Sequence, residues 1–113
     1  MTEIWHNPRC SKSRQTLALL EEHDAAVAVR RYLDDAPSEA ELRAALTALK
    51  AAPIDIMRKG EKVFKELGLS ADTPDDDLIA AMLSHPILIE RPIVLKDGKA
   101  RIGRPPESVL EIL

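Results

Sequence analysis

The spacing of apolar residues is helical through the middle of this chain and strand-like at both ends. Residues Glu3 to His6 form a short segment that predicts a buried first strand. A helix follows from about Ser11 to His23, with Leu17 and Leu20 three apart on one face. Val27 and Val29 alternate with small or polar neighbours and predict a second strand. So short a β-helix-β start favours parallel pairing through a right-handed crossover. Ser38-Glu39-Ala40-Glu41 has the form of a capping box, and Leu42, Ala45, Leu46 and Leu49 continue it at helical spacing. Pro53 opens a further turn, stopping near Gly60. Val63, Phe64 and Leu67 predict a short helix ended by Gly68. Thr73 as cap, Pro74 at the first helical position and Asp75 to Asp77 against the positive dipole predict another helix start. Leu78, Ile79, Met82 and Leu83 supply its buried face, and Pro86 ends it.

Toward the end the period changes to that of strands. Ile93-Val94-Leu95 and Ala100-Arg101-Ile102 flank Asp97-Gly98, a two-residue hairpin signal. Gly103-Arg104-Pro105-Pro106 leads into a closing helix, with Val109, Leu110 and Leu113 expected inward. The order β-α-β, several helices, β-β-α predicts an α/β fold with one four-stranded mixed sheet. No repeat or linker interrupts it, so residues 1–113 read as a single domain.

Composition narrows the class. The chain has 113 residues, 31% of them charged, and a formal net charge of -3. That balance gives no basic excess of the kind that marks nucleic-acid binders. The longest apolar runs, such as Pro86 to Ile89, are too short to span a bilayer, and no secretory signal pattern opens the chain. A lone free cysteine suits a reducing compartment, so a cytoplasmic location is expected.

That cysteine, Cys10, carries the candidate chemistry. It stands in His6-Asn7-Pro8-Arg9-Cys10-Ser11-Lys12-Ser13-Arg14, a polar and basic loop entering a helix. The positive end of a helix and adjacent cations favour a thiolate there, and the first-turn N–H groups make an anion site. The polar neighbours predict a sulfur exposed above the sheet edge. With one cysteine there is no intramolecular disulfide and no multi-cysteine zinc site. Asp75 to Asp77 are better explained by the helix dipole than by a metal, so no metal site and no bound cofactor is expected. His23 and His85 sit near predicted helix C-termini, where the dipole accounts for them. Trp5 is assigned to packing, and Arg30, Arg31 and Arg43 to the solvated surface.

The Cys10 loop resembles the catalytic loop of ArsC-type arsenate reductases coupled to glutathione and glutaredoxin. Further matches are Arg58 in Ile56-Met57-Arg58-Lys59, Arg91 in Glu90-Arg91-Pro92-Ile93-Val94, and Arg104 in Gly103-Arg104-Pro105-Pro106-Glu107. The resemblance spans essentially the whole chain, as a short-chain member, and implies a thioredoxin-like fold with a helical insertion between strands two and three. It further implies Cys10 as nucleophile toward arsenate, with Arg58, Arg91 and Arg104 as an oxyanion clamp. Glutathione is the implied co-substrate, attacking a cysteine-arsenic adduct, and glutaredoxin the partner that releases arsenite. Pro92 resembles the cis-proline of thioredoxin-like folds. His6 is expected in a structural or tuning role, and Asn7 and Ser13 as donors to the sulfur. Arg9 stands where some members of the family carry a small residue. Two alternatives are a thiol oxidoreductase acting on glutathione mixed disulfides and an Spx-like regulatory binding protein. The second typically carries Cys-x-x-Cys, whereas this chain has Ser13 at the second position.

Overall fold

The computed structural model describes residues 2–23 and 26–113. Four strands, β1 (Thr2–Trp5), β2 (Val27–Arg30), β3 (Ile93–Lys96) and β4 (Lys99–Ile102), form one sheet in the order β2-β1-β3-β4. β1 pairs parallel with β2 and antiparallel with β3, and β3 pairs antiparallel with β4. Helices α1 (Ser11–His23), α2 (Glu39–Leu49), α3 (Lys62–Glu66) and α4 (Asp75–Ser84) complete the regular elements, with 3-10 segments at Pro53–Ile56, Pro86–Leu88 and Pro106–Ile112. This is the thioredoxin-like arrangement, with α2 to α4 inserted between β2 and β3.

Two compact units make up the chain: residues 1–35 with 91–113, and residues 36–90. In the first unit β1 is a central strand, and Thr2, Ile4 and Trp5 are all buried, as expected for a strand covered on both faces. Ile4 packs with Leu20 of α1, Val94 of β3, and Val109 and Ile112 of the last segment. Burying each such side chain contributes about 1.5–3 kcal/mol. The β3–β4 turn is the expected one: Asp97 and Gly98 both take positive φ, 51° and 78°, as a two-residue hairpin of this twist requires.

The second unit is helical and locally encoded. Ser38 and Glu41 form the reciprocal capping box, with Glu41 N–H donating to Ser38 Oγ at 3.1 Å and Ser38 N–H to Glu41 Oε1 at 2.9 Å. Leu42, Ala45 and Leu46 of α2, and Leu78, Ile79, Ala81 and Met82 of α4, face inward. Gly68 ends α3 at φ 66°.

Four expectations change. β1 begins at Thr2, and His6 lies past its end, where its N–H donates to Arg30 O at 2.7 Å. Leu83, expected on the buried face of α4, is only partly buried. The N-cap of α4 is Pro74; the Thr73 hydroxyl accepts instead from Ser70 N–H at 2.9 Å. The closing helix is 3-10, so with three residues per turn Pro106, Val109 and Ile112 point inward, while Leu110 and Leu113 are exposed.

Candidate active site

Cys10 directly precedes the first residue of α1. Its carbonyl accepts from Arg14 N–H at 3.0 Å, and its own N–H donates back to Asn7 O at 3.0 Å. The loop is therefore a tight turn feeding a helix, and its backbone is used internally. Asn7 Oδ1 accepts from Arg9 N–H at 3.0 Å, and Arg14 Nη1 donates to Pro8 O at 2.9 Å. These bonds turn Pro8 and Arg9 outward, both exposed, so Arg9 does not crowd the sulfur from within the turn.

Beneath the loop lies a buried polar lock. Ser13 is fully buried, its Oγ lying 2.6 Å from His6 Nδ1 and accepting from Asn7 N–H at 3.0 Å. Since Oγ already takes the Asn7 hydrogen, the Ser13 hydroxyl is disposed to donate to a neutral His6 ring. Burial first, then the charges of Arg31 and Arg14, hold the His6 pKa below its ordinary value. Ser13 and Asn7 thus brace the loop and do not donate to the sulfur, contrary to the sequence expectation.

The donor to the sulfur comes from the other end of the chain. Arg104 Nη2 lies 3.5 Å from Cys10 Sγ, and Arg104 Nε donates to Arg91 O at 2.8 Å. One guanidinium thereby ties the Cys10 loop to Arg91, two residues before β3. With Arg104 laid against it, Cys10 is 8% exposed, not open above the sheet as its neighbours predicted. The Arg91–Pro92 bond is cis as expected, and Arg104–Pro105 is a second cis bond that the sequence did not suggest. Arg91 Nε and Nη1 are buried without a hydrogen-bond acceptor, although the residue makes other interactions.

Two further residues went unnoticed in the sequence. Gly103 N–H donates to Pro92 O at 2.9 Å, and its Cα faces Thr16 of α1. Thr16 is fully buried and donates from Oγ1 to Lys12 O at 2.8 Å. Only a contact between distant segments reveals them; the available signal was a glycine next to Arg104.

Arg58 belongs to the second unit. There its N–H donates to Leu88 O at 2.8 Å, and its Nη1 lies 3.1 Å from Glu61 Oε2. Asp75 to Asp77 fill the first turn of α4, with Asp76 paired to Arg43 at 2.9 Å. No cluster of metal-ligating side chains occurs among the described residues, and no helix among them is long and apolar enough to cross a membrane.

Comparison with known proteins agrees with this architecture. Residues 5–112 match the model of the ArsC family. The chain belongs to that family. It is 47% identical over 113 residues to a protein named arsenate reductase from Neisseria meningitidis serogroup A, the match covering 98% of this chain and 97% of that one. It is 49% identical over 113 residues to the uncharacterised YfgD of Escherichia coli K12, with 98% and 95% covered. A solved arsenate reductase from Vibrio cholerae superposes with a TM-score of 0.94 at 52% identity, covering 99% of this chain and 97% of that one. Within the ArsC family, then, this chain joins its lone cysteine to an arginine near the opposite end of the sequence.

Proposed function

We propose that this protein reduces arsenate to arsenite, with Cys10 as the nucleophile and external thiols as the source of electrons. The contact between Arg104 Nη2 and Cys10 Sγ carries this reading, because it sets a permanent cation beside a sulfur that must act as an anion. The names of its ArsC relatives supply the substrate.

Arsenate at neutral pH is a tetrahedral oxyanion, and guanidinium groups bind such oxygens with paired, charge-assisted bonds. In the proposed reaction the Cys10 thiolate attacks arsenic, and an arsenate oxygen leaves as water. Arg91 and Arg104 hold the remaining oxygens and stabilise charge developing on them. The family resemblance assigns Arg58 a further share of that charge; its pairing with Glu61 is the contact it would exchange.

Glutathione then attacks the cysteine-arsenic adduct, and glutaredoxin completes the release of arsenite. The balance is one arsenate and two thiols giving arsenite, one disulfide and water. Arsenic gains the electron pair that the two sulfurs lose. This chain has a single cysteine, so those sulfurs cannot both be its own.

The test is arsenite production with glutathione, glutaredoxin and NADPH-linked recycling, comparing the wild type with Cys10→Ser. Turnover by the wild type alone supports the proposal. No arsenite from the intact protein rejects it.

A further inference from the structure

We infer that Gly103 is a positioning residue for the site: its missing side chain sets how closely Arg104 approaches Cys10. The inference rests on the Arg104–sulfur contact and not on the identity of the substrate.

The requirement is one of space. A Cβ on Gly103 would meet Thr16 Oγ1 and stand 2.7 Å from Pro92 Cγ and 3.0 Å from Thr16 Cγ2. Real Cβ atoms essentially never show approaches under 3.0 Å, and close-packed interiors pass such strain on to their neighbours.

Neither wall gives way easily. Thr16 is fully buried in α1, and its hydroxyl is held by Lys12 O at 2.8 Å. Pro92 is a rigid ring whose carbonyl receives Gly103 N–H at 2.9 Å. An added methyl would therefore push residue 103 away from α1.

Arg104 is the next residue along, and its guanidinium makes two directed contacts, with Arg91 O and Cys10 Sγ. The sulfur contact is already 3.5 Å long, so an outward shift of even half a bond length weakens it. α1 thus carries two parts of one device. Its first turn follows Cys10, and Thr16 at its next turn gauges the distance of the arginine.

The test is a double-mutant cycle read by the ultraviolet absorbance of the Cys10 thiolate at neutral pH, with thermal unfolding recorded in parallel. Gly103→Ala should lower the thiolate share about threefold or more, as loss of a charge-assisted hydrogen bond implies. In an Arg104→Ala background the same change should alter it by less than about 1.5-fold, because coupled residues are not additive. Thr16→Ala removes the two threonine atoms and opens room on the α1 side, while the 2.7 Å approach to Pro92 Cγ remains, so Gly103→Ala/Thr16→Ala should recover part of the lost thiolate. That pair also serves if Gly103→Ala alone does not fold.

The inference is overturned if folded Gly103→Ala keeps the wild-type thiolate share. It is equally overturned if the loss persists undiminished without Arg104, or if the double variant folds and recovers nothing. Arsenate turnover can fail while this result holds, and the reverse, so the two proposals fall separately.

Discussion

Arg43 of the second unit and Arg104 of the first use the guanidinium in opposite ways. Arg43 rests on Glu39 and Asp76 at 2.9 Å each. Glu39 is one helical turn away on α2, and such exposed pairs contribute little to stability. In the first unit Arg104 donates to a backbone carbonyl and to a sulfur 94 positions away in sequence. A guanidinium on a carboxylate is largely neutralised, whereas Arg104 turns donors to a carbonyl and to the Cys10 sulfur. Placement, more than the number of cations, separates scaffold from site.

The sharpest break in that comparison is removal of the sulfur. Cys10→Ser should bring arsenite production down to that of a protein-free control. A coupled NADPH assay checks this, and residual turnover would move the nucleophile elsewhere. Next in size is Arg104→Ala, which should cost about 2.7–4 kcal/mol of transition-state stabilisation if deletion of an oxyanion donor is a fair guide. The measurement is kcat/KM for arsenate. A thiol oxidoreductase that attacks only mixed disulfides would need Cys10 but not this arginine, so an Arg104→Ala enzyme with full activity would favour that alternative.

The same contrast explains what could be read from the sequence. The capping box at Ser38, the Asp97-Gly98 turn and the cysteine loop entering α1 are signals held within a few residues, and each appears where expected. The α4 cap failed because the Thr73 hydroxyl had a competing local partner, Ser70 N–H. Leu110 and Leu113 were assigned inward on an α-helical period that a 3-10 segment does not keep. Site geometry was the least legible part. Arg91 and Arg104 could be named only through family resemblance, since spacing does not distinguish them from surface arginines. The Gly103–Thr16 approach depends on which segments meet, and the Ser13–His6 lock on how one loop folds back on itself.

A smaller effect tests the scaffold side. Ser38→Ala removes the acceptor for Glu41 N–H and half of the capping box, so about 1 kcal/mol of stability should be lost. Urea unfolding measures it, and kcat for arsenate should not change, because the Ser38 bonds lie within the start of α2. A comparable fall in kcat would show that the second unit's helix start matters to the chemistry, and the division drawn between the units would weaken.

The smallest expected effect lies under the cysteine loop and depends on pH. The His6 pKa in the folded protein is lowered, first by burial and then by Arg31 and Arg14, whereas in the unfolded chain it returns to about 6.5. Between those two values the unfolded state binds more protons than the folded one, so acid favours unfolding. The contribution of neutral His6 is thus complete above the unfolded value and is lost as pH falls through the folded one. Protonation also puts a hydrogen on Nδ1, which must then donate to Ser13 Oγ, so the buried hydroxyl loses the acceptor it had in the ring. Stability measured by urea unfolding should therefore decline as pH drops below about 6.5, and His6→Asn should flatten that part of the curve. If the wild type and His6→Asn decline in parallel, the ring is not held neutral by its surroundings. The lock under Cys10 would then be an ordinary hydrogen bond with no pH dependence of its own.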